Sequence, residues 1–349
     1  MLMVIFMQKT NLKSLSKQEL EAFIEELGLP AFRAKQILHW IYEKYAQSIQ
    51  DITELSKDLR EKLSEKAYIS NLGLLDRQIS KDGTEKFLFG LEDGETIESV
   101  LISDEDRLTL CISSQIGCAM RCRFCLTGKM GLKRNLDAHE IVDQIISANR
   151  IIKPRKITNI VFMGMGEPLA NFDNVTNALW RITELMNISP KRITLSTSGI
   201  APKILEFPKK APMVNLAISL NATTDEVRDY IMPVNKTYPL KVLLEACRKF
   251  PLPTRRRITF EYVMLKGMND TPEDAKRLVK LLKGIPSKVN LIPFNPYEGS
   301  EFKRPDDESV LRFQNILIEG QLTALIRKSK GQDISAACGQ LKAKYSVIS

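Results

Sequence analysis

The sequence predicts an α/β protein: a small helical unit, then antiparallel strands, then a parallel sheet or barrel of repeated strand–helix pairs. Three observations predict it. Apolar residues recur at helical spacing as far as about residue 70. The period changes to two from about Leu72. From Arg107 onward strand and helix signals alternate nearly to the end. A length of 349 residues, 44% of them hydrophobic, suggests two domains and a substantial core.

In the helical unit, Ser16 and Glu19 form a capping box. Leu20, Phe23, Ile24 and Leu27 follow on one face, with Gly28 and Pro30 as stop signals. A second helix groups Ala34, Ile37, Leu38 and Ile41, and a third starts near Ser56 and uses Leu59 and Leu63. His39 and Trp40 read as packing or surface residues. Next come the strands LGLLDRQIS, TEKFLFGL and TIESVLIS, joined by turns at Asp82-Gly83 and Asp93-Gly94. The alternating part runs RLTLCIS, a helix after Asp137, ITNIVFMG, a helix after Asp173, RITLS and MVNLAISL. It continues through RITFEYVML, a helix after Pro272, KVNLIP, a helix after Asp307, and LTALIR. These signals divide the chain into residues 1–70, 71–106 and 107–349. In such folds chemistry gathers in the loops after the strands, where Gly164, Glu167, Ser196, Ser219 and Asn295 stand.

No apolar run approaches a membrane span. Met1 to Met7 is apolar but lacks a basic start and a small-residue cleavage site, so it reads as a variable start rather than a signal peptide. Six cysteines, three of them clustered, argue for a reducing, cytoplasmic setting over a disulfide framework. The charge is uneven. Residues 1–100 hold 13 Lys and Arg against 17 Asp and Glu, whereas the whole chain holds 51 against 42. The positive excess lies in short runs: Lys129, Lys133 and Arg134; Lys153, Arg155 and Lys156; Arg255 to Arg257; Arg327, Lys328 and Lys330. One run alone reads as solvated surface. Together they suggest a phosphate backbone as partner.

Cys118-x3-Cys122-x2-Cys125 is the most informative feature. Thiolates at this spacing can fill three corners of an iron–sulfur cubane and leave the fourth iron for an external ligand. Closed zinc or cluster sites normally take four protein ligands. The open corner suits the amine and carboxylate of S-adenosylmethionine (SAM). Spacing alone also admits chance thiols or an incomplete zinc knuckle.

CAMRCRFC over 118–125, GMGEPL over 164–169 and AACGQL over 336–341 stand in this order. With them the chain resembles, over almost its whole length, the radical SAM methyltransferases that methylate C2 of adenosine in 23S rRNA and tRNA. The resemblance implies a partial (βα)6 radical SAM barrel, with a small N-terminal helical domain for RNA recognition and a short β-hairpin extension. It implies one [4Fe–4S] cluster on Cys118, Cys122 and Cys125, and two SAM consumed per methylation.

By the same resemblance SAM is contacted at Gly166, Glu167, Ser196, Ser219, Leu220, Asn221 and Asn295. Asn221 stands where the family typically has His. Cys338, which by itself reads as a small core residue, becomes the methyl carrier. Cys111 becomes the resolving cysteine that ends in a disulfide with it, and Glu98 the acceptor of the C2 proton. The implied chemistry follows from adenine C2 being too electron-poor to attack a sulfonium. A radical made from a second SAM takes hydrogen from the methyl on Cys338, and the resulting carbon radical adds to C2, joining protein to RNA. The implied partners are 23S rRNA, tRNA and an electron-donor protein such as a flavodoxin, with the chain acting as a monomer. Cys247 matches no functional position and reads as core. A related branch methylates C8 of the same rRNA adenosine with the same cysteines. An iron–sulfur protein that binds RNA without modifying it is the non-enzymatic reading.

Overall fold

Ser16 opens the first helix as its spacing to Glu19 requires. Its Oγ accepts the Glu19 N–H at 3.2 Å, and Glu19 Oε2 accepts the Ser16 N–H at 2.7 Å. The computed structural model describes residues 9–342; the apolar Met1–Met7 stretch lies outside them. Helices α1 (Lys17–Glu26), α2 (Phe32–Tyr42) and α3 (Lys57–Lys66) form the first unit. Two short strands, β1 (Thr10–Asn11) and β2 (Ala67–Tyr68), pair in parallel and bring its ends together.

One sheet of ten strands follows. Strands β3 (Gly73–Ile79), β4 (Glu85–Gly90), β5 (Thr96–Asp104) and β6 (Arg107–Cys111) are antiparallel in sequence. Gly83 and Gly94 take φ of +80° and +83° at the two expected turns, a region that favours glycine. After β6 a separate hairpin, β7 (Gln115–Cys118) with β8 (Gly131–Asn135), brackets α4 (Leu126–Lys129). The parallel part then runs β6, β9 (Asn159–Phe162), β10 (Ile193–Thr197), β11 (Asn215–Ser219), β12 (Ile258–Met264), β13 (Ser287–Pro293) and β14 (Thr323–Ile326). Helices α5 (Ala138–Ile151), α6 (Phe172–Glu184), α7 (Ala201–Lys210), α8 (Asp225–Ile231), α9 (Leu240–Lys249), α10 (Pro272–Leu282) and α11 (Asp307–Glu319) lie between these strands.

Six strand–helix units are thus present, with β14 added as a seventh parallel strand. The expected hairpin extension is continuous with the barrel sheet, because β5 pairs with β6. Two features lie beyond what the sequence signals. The β7–β8 hairpin is short, with a buried strand QIGC against the more exposed strand GLKRN. Helix α7 carries Pro202 and Pro208, which read as breaks, yet Pro202 sits in the first turn, where its missing N–H costs no helical bond.

The apolar core runs without interruption from the first helices into the barrel. Polar groups cross the same boundary. Lys13 is buried and its Nζ reaches Asp143 of α5 at 2.5 Å and the Ser70 carbonyl at 2.7 Å. Arg181 of α6 donates to the carbonyls of Lys13, Ser14 and Leu15. Among the described residues no helix is long and apolar enough to cross a membrane.

Candidate active site

The C-terminal ends of the parallel strands surround one open cavity. Cys118, Cys122 and Cys125 border it on one side. Gly166 and Glu167 follow β9, Ser196 lies in β10, Ser219 ends β11, Asn221 follows it, and Asn295 follows β13. Cys338 enters from the C-terminal segment. It is exposed and lines this cavity.

The cysteine loop is held by close backbone contacts. Gly117 has φ +76°, and a Cβ there would collide with the Gly131 carbonyl. A Cβ on Gly128 would stand 3.0 Å from both the nitrogen and the oxygen of Cys122. Burial pushes the Cys118 thiol up to about 12, and burial with the charges of Cys125 and Cys118 pushes Cys122 up as well. A cationic cluster would offset both effects, since metal coordination deprotonates a thiol outright. Among the described residues no three His, Cys, Asp or Glu side chains close on a single ion. In a cubane each thiolate binds its own iron, so three thiols along one wall fit that group.

In the GMGEPL loop the glycines serve contacts within the chain. A Cβ on Gly164 would come 2.6 Å from the Ile112 carbonyl, and one on Gly166 2.6 Å from Gln115 Cβ. Glu167 is buried. Its Oε1 accepts from Leu169 N at 3.0 Å and Thr197 Oγ1 at 2.7 Å, and its Oε2 accepts from Ser198 N at 2.7 Å. Burial raises its pKa against these hydrogen bonds. Capping and ligand binding are compatible here, because a carboxylate offers about four acceptor sites. Asn221 has φ +58°, which Asn tolerates. Its Oδ1 accepts the Val263 N–H at 2.8 Å and its Nδ2 faces Met232 Sδ at 3.1 Å. Asn295 Oδ1 accepts from Gln332 of the C-terminal segment. Leu220 is not among the lining residues; it is wholly buried in the core.

The C-terminal segment is fastened on several sides. Thr127 Oγ1 donates to the Leu341 carbonyl at 2.8 Å, and Gln340 Nε2 to the Pro296 carbonyl at 3.0 Å. At the first strand turn, Ser80 Oγ donates to Asp333 at 2.6 Å and Gly331 N to Asp82 at 2.9 Å. Cys111 belongs to one buried cluster with Val100, Met165, Ala336 and Leu341, the last two flanking Cys338 in the sequence. Burial, and then the charge of Cys338, push the Cys111 thiol up to about 12. All six cysteines are free thiols, so the disulfide implied by the resemblance is not formed in this structure. Cys247 is buried in α9 within the core.

Glu98 is buried beside this segment and does not line the cavity. Its Oε2 accepts the Lys342 N–H at 2.7 Å, and Lys86 Nζ stands 3.4 Å from Oε1. Burial raises its pKa.

Three site residues escape sequence reasoning. Glu261 of β12 lines the cavity with Oε2 buried and without a hydrogen-bond partner among the described residues; a carboxylate inside the apolar strand ITFEYVML is the available signal. Arg327 belongs to a basic run in the sequence, yet it borders the cavity beside Cys338. Arg228 is fully buried behind the β10 and β11 ends. Other members of the basic runs are engaged within the chain: Lys133 with Glu95, Arg134 with Asp93 and Glu140, and Arg155 with Glu85.

Residues 10–69 match the family described as Ribosomal RNA large subunit methyltransferase N-terminal domain, and residues 112–282 match the Radical SAM superfamily. The chain is 55% identical over 339 residues to the dual-specificity RNA methyltransferase RlmN of Pelobacter propionicus, covering 97% of each chain. It is 54% identical over 340 residues to RlmN of Geobacter sulfurreducens, covering 97% of this chain and 93% of that one. The crystal structure of a radical SAM methyltransferase from Sphaerobacter thermophilus superposes with a TM-score of 0.92 at 43% identity, covering 96% of this chain and all of that one.

Proposed function

The chain belongs to the RlmN family of dual-specificity RNA methyltransferases, and from that premise we propose that it methylates C2 of adenosine in 23S rRNA and tRNA through a methyl group carried on Cys338. The observation that carries this reading is the convergence of Cys118, Cys122, Cys125, Glu167 and Cys338 on one cavity at the strand ends. Cys118, Cys122 and Cys125 would hold the cluster. Gly166, Glu167, Ser196, Ser219, Asn221 and Asn295 would hold SAM, with Leu220 contributing at most its backbone. When bound, the cluster and SAM supply a hydrogen-abstracting carbon radical.

The residues of the chain do the rest. Cys338 loses its proton, and its sulfur takes the methyl of one SAM, leaving S-adenosylhomocysteine. After hydrogen abstraction its methylene carbon adds to adenine C2. The adduct would give up one electron, which the oxidised cluster would accept when bound, and Glu98 would take the C2 proton. Glu98 now holds the Lys342 amide, so this step requires that contact to open. Cys111 then attacks Cys338 Sγ. The sulfur–methylene bond breaks, its electron pair stays on the carbon, which is protonated, and the two sulfurs form a disulfide. The base must leave its stack to enter the cavity. The exposed cations Lys153, Lys156, Arg255 and Lys328, with helices α1, α2 and α3 of the N-terminal unit, would meet the RNA, and the work would be cytoplasmic.

Anaerobic incubation of the iron-loaded protein with SAM, a reductant and transcribed rRNA and tRNA fragments tests the reading. Nucleoside mass spectrometry should find 2-methyladenosine. Finding 8-methyladenosine would assign the chain to the C8 reaction. Finding no methylated base, with Cys338 unmethylated, would overturn the enzymatic reading.

A further inference from the structure

Arg228 is fully buried in α8, and its guanidinium makes four hydrogen bonds. Nε donates to the Leu220 carbonyl at 2.9 Å and Nη1 to Asn235 Oδ1 at 3.0 Å. Nη2 donates to the carbonyls of Ser198 at 2.7 Å and Ser219 at 3.1 Å. Every acceptor is neutral. Among the described residues no carboxylate oxygen stands within 4.0 Å of the guanidinium. The carboxylates nearest along the helix are turned elsewhere: Asp225 accepts from Asn235 and Leu240, and Asp229 from Asn235. A buried cation is costly unless an anion compensates it, and Arg cannot shed its charge.

On the cluster reading, a Cys122 thiolate would be the compensating anion. Cys122 packs against a small apolar cluster that includes Ile231 and Met232, the last residue of α8 and its C-cap, three and four residues after Arg228. The Arg123 N–H also donates to the Ile231 carbonyl at 3.0 Å, fastening the cysteine loop to the end of α8. A negative charge on Cys122 would favour the Arg228 cation, as Asp225 and Asp229 do.

We propose that Arg228 is a positioning residue that also acts through its charge: it clamps the loops after β10 and β11 and places a fixed positive charge behind the Cys122 corner of the cluster. Adding one electron to the cluster adds one negative charge and moves no proton. A fixed cation nearby favours the reduced form and raises the reduction potential. This inference rests on the cluster reading above.

The test is a redox titration with dithionite, monitored by electron paramagnetic resonance, on the full-length, anaerobically reconstituted protein without SAM. Arg228→Gln should shift the reduction equilibrium at least tenfold toward the oxidised form, about 59 mV for one electron. Arg228→Lys keeps the charge and loses the fork of hydrogen bonds, so its midpoint should stay near the wild-type value. An iron-loaded, folded Gln variant with an unchanged midpoint overturns the proposal. So does a Lys variant displaced by the full tenfold, which decides the matter even if the Gln protein does not fold. Wild-type protein that takes up no iron would instead refute the cluster reading itself.

Discussion

The Leu126 N–H donates to the Gly339 carbonyl at 2.8 Å, tying the residue after Cys125 to the residue after Cys338. The loop proposed to carry the cluster and the segment proposed to carry the methyl group are therefore one hydrogen-bonded assembly. The Thr127–Leu341 bond repeats the tie. This joins the two ends of the catalytic region, distant in sequence, where on the proposed mechanism a radical would meet a methyl group.

Glu167 should be sensitive to loss of a single oxygen. Glu167→Gln keeps the volume but can turn an NH2 toward the donors Ser198 N or Leu169 N. A buried group left unsatisfied costs about 1–3 kcal/mol. The variant should melt lower, and SAM binding, followed by calorimetry on the iron-loaded protein, should weaken at least tenfold. Wild-type SAM affinity would remove Glu167 from the SAM site.

Glu261 gives a pH signature. Burial raises its pKa above the ordinary 4.5, so the folded chain holds that proton more tightly than the unfolded chain does. Stability therefore falls as pH rises from the ordinary value through the folded one. The penalty is absent below that window and full above it. Glu261→Gln should be more stable than wild type at neutral pH, with the gain shrinking toward about pH 4, as read from urea unfolding of the iron-free protein. A gain independent of pH would mean that the folded carboxyl titrates like the unfolded one.

Lys13→Met should cost about 3–5 kcal/mol, because it leaves Asp143 buried without its cation. Equilibrium unfolding measures this directly. A double variant, Lys13→Met with Asp143→Leu, should recover much of the loss. If the single variant were neutral, the pair would not be what holds the first helices to the barrel.

Much of this is legible in the sequence, for physical reasons. The capping box at Ser16, the Asp-Gly turns and the repeated strand–helix alternation each encode geometry in adjacent residues. The three-cysteine spacing is equally local, and the cavity gathers those thiols with Glu167, Ser196, Ser219, Asn295 and Cys338. The rest depends on contacts between distant segments. Arg327 looks like part of a basic surface run because its place beside Cys338 is set by β14 and the C-terminal segment together. Arg228 gives no signal, since a buried Arg on a short helix reads like any polar helical residue. Glycines after a strand suggest close approach of a ligand, whereas Gly164 and Gly166 bring the segment after β9 against Ile112 and Gln115.

The most direct test of the central claim separates the roles of Cys111 and Cys338 in time. Cys111→Ala leaves methyl transfer to Cys338 and addition to adenine intact but removes the thiol that releases the base. On incubation with SAM, reductant and tRNA it should accumulate as a covalent protein–RNA adduct, a retarded band on a denaturing gel that ribonuclease removes. Adding Cys338→Ala should abolish that band. A Cys111→Ala enzyme that turns over normally and leaves no adduct would contradict the account.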